Sequence, residues 1–271
     1  MASILNNVAA LGASRQLAIT GRGLDQTIER LTTGRRINRA SDDAAGLGIS
    51  NKLGADIRIA GQGKRNANDG ISYLQVADGV LDEVTNLLTR AAELSEQAKT
   101  GTISNSNRVN IDAEFQNIIK SIADIGQNTK FNGTNIYGAS ATVSVGTFSA
   151  IGISVATISS STIAALGLTA GSTSLSTTAG ASAAMDAITL AIDSVSTVRA
   201  SIGAAMQQLT SVSNALGIQV ENFTSAYSQI RDADVSQEVV NLTKFQILNQ
   251  SGTSALGQAN QAAQSILSLL R

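Results

Sequence analysis

Residues 74–98 read LQVADGVLDEVTNLLTRAAELSEQA, and their spacing decides the fold. Leu74, Ala77, Leu81, Val84, Leu88, Ala91 and Ala98 recur on alternating steps of three and four, with polar Ser95 filling the one missing slot. That rhythm is the seam of a coiled coil rather than the broader apolar stripe of a globular helix. A helix from about Asn66 to Lys99 would run roughly 50 Å at 1.5 Å per residue. Thr100-Gly101-Thr102 supplies a stop. Beyond it Ile111, Phe115, Ile118, Ile122 and Ile125 keep the rhythm, so the spacing predicts an antiparallel hairpin of two helices.

Toward the other end, Ile188, Ile192, Val195 and Ile202 begin a third seam, which Leu209, Val212, Leu216, Val220, Phe223, Tyr227 and Ile230 continue. One step there is four where three is due, a stutter that locally unwinds a supercoil. The extreme ends carry stripes of their own. Ile4, Leu5, Val8, Leu11, Leu24, Ile28 and Leu31 mark one, and Leu256, Ala259, Ala263, Ile266 and Leu270 mark the other. Terminal segments usually carry polar residues, and an isolated helix of this length is marginal in water. Apolar stripes with little charge therefore point to ends that fold on a partner. The fold class expected is mainly α: an elongated coiled-coil-like helical bundle with paired N- and C-terminal helices and a small β-hairpin region in the middle.

That middle differs from its flanks. Residues 131–185 hold no Asp, Glu, Lys or Arg. Val143-Ser144-Val145 and Ile151-Gly152-Ile153-Ser154-Val155 alternate as strands of a hairpin. Residues 139–180 contain 18 Ser or Thr among 42, which reads either as a flexible surface insertion or as an exposed region open to O-linked sugar.

Composition excludes more than it suggests. The chain has 271 residues, 43% apolar and only 3% aromatic, with no His, Cys or Pro. It thus lacks the commonest general base, the thiol nucleophile and the soft metal ligands, so serine triads, zinc sites and iron–sulfur clusters are not expected. No disulfide can form. Residues 1–65 carry ten Lys or Arg against five Asp or Glu, net +5, without interleaved aromatics or a nucleic-acid-binding motif. A head-to-tail electrostatic complement, within the chain or between subunits, is the reading preferred to nucleic acid. No run approaches a membrane span, and the first residues lack the charged region and apolar core of a cleavable signal.

The candidates for chemistry fail individually. Gly61-Gln62-Gly63-Lys64 has the wrong spacing for a phosphate cradle, and Gly46-Leu47-Gly48 follows no strand. Asp42-Asp43 follows Ser41 and precedes Ala-Ala-Gly-Leu, the pattern of a helix N-terminus rather than of paired catalytic acids. Asp82-Glu83 and the Asp232, Asp234 pair sit on solvated faces. No catalytic, cofactor-binding or metal residue is assigned, and the chain does not read as an enzyme.

Long motifs then carry a resemblance. LTTGRRINRASDDAAGLGIS at 31–50, RNANDGISYLQVADGVLDEV at 65–84 and FNGTNIYG at 131–138 resemble the N-terminal block of bacterial flagellin. SQIRDADVSQEVVNLTKFQILNQSGTSALGQANQAAQSILSLLR at 228–271 is similar to its C-terminal block. The family carries Pro where this chain has Ala263, a departure that removes a helix break. The resemblance implies a subunit that is exported unfolded without a cleaved signal, and that polymerises under a cap protein into the flagellar filament for swimming motility, outside the cell.

It also implies a layout. Inner-tube helices would fall at about 1–33 and 235–271, joined by linkers near Gly34–Gly46 and Arg231–Asp234 to a rod at 47–230. Five segments follow: 1–46, 47–130, the outermost 131–185, 186–230 and 231–271. Inner-tube assembly would rest on Leu5, Val8, Leu11, Leu24, Ile28, Leu31, Leu256, Ile266 and Leu270. Implied partners are further copies of the chain, the filament cap, hook-junction proteins and an export chaperone. The family also presents a surface read by Toll-like receptor 5, whose contacts match Arg90, Leu94 and Glu114. Thr89, Ala92 and Glu96 depart from the commoner pattern there, and a solvated rod face or a subunit contact is an equal reading of Arg90 and Glu114. The alternatives are a hook–filament junction protein with similar terminal helices and a membrane-active secreted translocator. Against the second stands the lack of a helix with a Lys/Arg face and aromatic anchors.

Overall fold

A computed structural model describes residues 7–137, 140–146, 151–154 and 173–269. The element order is α1 (Val8–Thr33), α2 (Ala44–Lys99), α3 (Asn105–Asn128), β1 (Lys130–Phe131), β2 (Thr134–Asn135), β3 (Ser140–Val143), β4 (Ile151–Ser154), α4 (Thr178–Arg231) and α5 (Val235–Leu269). The fold is mainly α, as the seams require. The chain divides into two compact units, at Ile57/Arg58 and at Val220/Glu221.

The unit Arg58–Val220 is built on the α2 seam. Along it the buried positions Ala60, Gly63, Ala67, Gly70, Leu74, Ala77, Leu81, Val84, Leu88, Ala91, Ser95 and Ala98 follow one another by threes and fours, and Tyr73 and Leu94 beside them are buried as well. The helix begins at Ala44, some twenty residues before the expected Asn66. The early seam is made of Gly and Ala, which bury little area but let a neighbouring backbone come close. At Gly63 an added Cβ would lie 2.9 Å from the carbonyl carbon and oxygen of Val145. Val145 itself is fully enclosed.

Helix α3 returns antiparallel to α2. Arg108, buried at the turn, donates from Nε to the Ala98 carbonyl at 2.8 Å and from Nη2 to the Thr100 carbonyl at 3.0 Å. Phe115, Ile118, Ile119 and Ile122 fill the core. Helix α4 also runs antiparallel to α2. The Arg199 guanidinium bridges Asp78 and Asp82 at 3.0 and 2.8 Å, and farther along the Ser213 hydroxyl donates to Asn68 Oδ1 at 3.2 Å. In this third seam Ser213 is buried and Val212 only half-buried, so a polar residue occupies the slot expected of Val212.

Two hairpins interrupt the helices, where one was expected. In β1–β2, Asn132 and Gly133 take positive φ of 49° and 81° between the Phe131–Thr134 pair, the conformation a two-residue turn demands. Phe131 then meets Tyr73 edge-on at 5.6 Å, and the buried hydroxyls of Tyr73 and Tyr137 donate to the carbonyls of Ile136 and Ala77. Burial pushes both phenols up, Tyr137 further with the Asp78 charge nearby. The expected hairpin is β3–β4, antiparallel from Ser140/Ser154 to Val143/Ile151. Its first strand ends at Val143 rather than starting there. Val155 and most of the Ser/Thr-rich stretch lie outside the described residues.

The unit holding both chain ends consists of α1, the start of α2, the end of α4 and α5. Asn7 caps α1 by accepting the Ala10 N–H at 3.0 Å, and Gly34 ends it at φ 68°. The segments after α1 and after α4 pair: Arg36 N–H donates to the Arg231 carbonyl at 2.7 Å and Ala233 N–H to the Gly34 carbonyl at 3.0 Å. Of the acidic pair, Asp43 takes the expected place at a helix N-terminus, whereas Asp42 braces the turn before it. Asp43 Oδ1 accepts the Gly46 N–H at 2.8 Å and caps α2, while Asp42 Oδ2 accepts the N–H groups of Arg39 and Asn38.

Candidate assembly interface

Helices α1 and α5 pack antiparallel through one face each. Four contacts set the alignment. Asn7 Nδ2 donates to the Ala259 carbonyl at 2.9 Å, Leu17 lies over Gly252, the Phe245 ring lies over Gly23, and Arg30 pairs with Glu238 at 3.2 Å. The most deeply buried positions of α1 are polar. Thr20 and Thr27 are buried, and their hydroxyls are satisfied by the carbonyls of Gln16 and Gly23 at 2.9 Å. Glu238, also buried, adds an interaction with Asn241 to its ion pair. The apolar members of the seam, among them Leu17, Leu24, Leu31, Phe245 and Leu256, are only half-buried, so this pair gains less from packing than the α2–α3–α4 core does.

The apolar side chains of the two helices largely point elsewhere. On α1, Val8 is 72% and Leu11 63% exposed, with Ile19 and Ile28 also in solvent. On α5, Val235, Val239, Val240, Ile247 and Leu248 are exposed, Val240 and Ile247 by about 60% each. Val239, Val240, Thr243, Lys244, Ile247 and Leu248 line an open groove of about 490 Å³ whose walls are almost wholly hydrocarbon. Scattered apolar residues are normal on a surface, but a contiguous set on one helix marks a contact site.

The nine residues expected to carry inner-tube assembly divide accordingly. Val8, Leu11 and Ile28 are exposed. Leu24, Leu31 and Leu256 are half-buried, in helical phase with the α1–α5 contacts. Leu5 and Leu270 lie outside the described residues, as does the Ile266 side chain. Residue reading missed Val239, Val240, Ile247 and Leu248, because Val-Val and Ile-Leu doublets straddle both faces of a helix and give no clean period. It also missed Gly23, Phe245, Gly252 and Glu238, although the three-four phase of 238, 245, 252, 256 and 259 was there to be counted.

The residues matched to receptor contact lie in the other unit. The Arg90 guanidinium donates to Glu114 at 2.8 Å and to Glu93 at 3.0 Å, all three exposed. Both carboxylates hold the Arg90 cation more firmly than usual, Glu114 foremost. Leu94 is a correction: it is 2% exposed and packs in the core, so it offers nothing to a partner. Here α2 is covered by α3 and α4 together, which widens its buried stripe to take in both Leu94 and Ser95. Among the described residues no group of three or more His, Cys, Asp or Glu could hold a metal ion. None of the described helices is long and apolar enough to cross a membrane.

Two terminal helices paired through a thin seam, with their hydrocarbon turned outward, define a self-associating helical subunit. Residues 4–142 match the bacterial flagellin N-terminal helical region and residues 185–270 the bacterial flagellin C-terminal helical region. The chain belongs to the bacterial flagellin family. It is 37% identical to flagellin FlaB2 of Treponema pallidum over 284 residues, and 38% identical to the flagellar filament 33 kDa core protein of Treponema phagedenis over 287 residues. Each alignment covers 99% of this chain and 99% of the relative. A flagellin of Halalkalibacterium halodurans is 35% identical, again over 99% of both chains. The crystal structure of Bacillus cereus flagellin shares the fold with a TM-score of 0.50 at 24% identity, covering 56% of this chain and 88% of that one.

Proposed function

We infer that the chain is a structural subunit of a bacterial flagellar filament, held in the polymer by the outward faces of α1 and α5. The supporting observation is the apolar groove of α5, together with the exposed apolar residues of α1, uncovered in the single chain. Burying one Val, Leu or Ile contributes about 1.5–3 kcal/mol. A handful of such residues at each contact offsets the roughly 4–15 kcal/mol of lost translational and rotational freedom. Neighbours related by a non-closing operation extend without limit, as a filament requires. Flagellin is a structural family, and no reaction is assigned to the chain.

The finer parts of this reading concern export and partners. The subunit is exported to the distal end of an extracellular filament, grows under a cap protein and joins the hook through junction proteins. An export chaperone covers the α5 groove before assembly, and the apolar lining of that groove favours such a role. Toll-like receptor 5 reads the Arg90–Glu114 surface.

Electron microscopy of the purified chain after addition of ammonium sulfate, which strengthens apolar burial, tests the polymer reading. Long uniform filaments are expected from the intact chain and not from one lacking 235–271. Monodisperse particles from the intact chain, even with filament seeds, would favour a junction protein instead.

A further inference from the structure

Large and small residues are exchanged reciprocally between α1 and α5. A Cβ added at Gly23 would lie 2.7 Å from the Phe245 Cε1 and Cζ atoms, closer than any real side chain tolerates. One heptad farther along α5, a Cβ at Gly252 would lie 3.2 Å from Leu17 Cδ1. The first notch is in α1 and its knob comes from α5; the second notch is in α5 and its knob comes from α1. By contrast, a Cβ at Gly12 or Gly21 would meet nothing within 4 Å, so close packing does not account for every glycine of α1.

Both notches meet their knobs in the alignment observed. Sliding the pair by a heptad in one direction sets Phe245 beside Arg30; in the other it sets Phe245 beside Gln16. The first slip sets Gly252 beside Gly23 and the second sets the charged Glu238 there, so neither puts a hydrophobic knob at the Gly23 notch, and both separate Arg30 from Glu238. At one end of the pair the Arg36–Arg231 and Ala233–Gly34 backbone bonds also resist a slip, and at the other Asn7 bonds the Ala259 carbonyl. Between them Thr20, Thr27 and Asn249 are small or polar and the threonine hydroxyls bond within their own helix, so the notches carry the register along the middle of the seam. Alignment matters because the outward apolar residues are divided between the two helices. The position of Val8, Leu11 and Ile19 relative to Val239, Val240 and Ile247 is set by it.

We propose that Gly23 with Phe245, and Gly252 with Leu17, are positioning residues for polymerisation: they lock the register of α1 on α5 and thereby compose the surface each subunit offers the next. This rests on the filament reading above. Leu is a far better helix former than Gly, so a loss of pairing in Gly23→Leu cannot come from a weaker helix.

The chain has no cysteine, so Asn7→Cys with Ala259→Cys supplies a reporter of register in the full-length protein. A slip of one heptad moves the pair about 10 Å apart, beyond disulfide reach. In this background Gly23→Leu is expected to slow cross-linking about tenfold, as overpacking costs of this kind imply, and to raise the critical concentration for assembly after reduction. Adding Phe245→Ala to Gly23→Leu relocates the knob and is expected to restore both. The lock is refuted if Gly23→Leu cross-links at the parent rate, if it assembles at the parent critical concentration despite losing the cross-link, or if Phe245→Ala fails to rescue. Failure of the parent itself to assemble would count against the filament reading, and cross-linking alone would then decide the lock.

Discussion

Phe115 is completely enclosed in the core of the Arg58–Val220 unit, and a wholly buried aromatic ring cannot be trimmed without leaving a cavity. Phe115→Ala is expected to cost about 3–5 kcal/mol, read as a lowered urea midpoint. Asp42 works through its charge. Backbone N–H groups of Arg39 and then Asn38 hold its carboxyl below the ordinary value of 3.8. A folded pKa below the unfolded one contributes stability that is full above the unfolded value and is lost as pH falls through the folded one. Loosening of the 38–39 turn is therefore expected only below about pH 4, with faster amide exchange at those two residues, and Asp42→Asn should lack that transition. Arg90 is exposed, so Arg90→Ala is expected to leave the melting temperature unchanged while weakening receptor signalling by monomer. An unaltered dose response would remove Arg90 from the proposed contact.

Helix α2 illustrates how far a seam can be read. Leu74 to Ala98 was legible because Leu and Val stand out against Asp, Glu and Thr at every third or fourth place. The four earlier positions, Ala60, Gly63, Ala67 and Gly70, keep the same phase with no hydrophobic contrast, so the helix looked shorter than it is. What those residues supply is proximity, visible only once Val145 is seen against Gly63. Gly63→Ala is expected to cost about 1–3 kcal/mol by overpacking, and because the opposing atoms are the Val145 backbone, Val145→Ala is not expected to compensate; equal melting temperatures for parent and Gly63→Ala would contradict the close approach. Leu94 was misplaced for a related reason. A single seam predicts one narrow buried stripe, whereas two helices pack on α2 at that level and bury its neighbour too. The cap was legible from Ser-Asp-Asp ahead of Ala-Ala, and Asp43→Ala should cost about 0.5–2 kcal/mol in thermal unfolding.

Across the molecule, apolar residues are used in two ways. In the unit Arg58–Val220 the three seams turn inward and close a core within one chain. In the unit of the chain ends, the inner seam mixes small and polar residues with a few half-buried apolar ones while much hydrocarbon faces solvent, which suits a chain that completes its burial against further copies of itself. The amphipathic ends were legible in sequence, and the inference that they fold on a partner followed from that. The distribution of their faces was not, because it depends on which side of α1 meets α5. Amide hydrogen exchange compared between monomer and assembled filament tests this account most directly. Protection is expected to rise strongly in 8–33 and 235–269 on assembly, with the core positions of 58–220 already protected in the monomer. Equal protection of the two terminal helices in both states would contradict the claim that polymerisation is their source of stability.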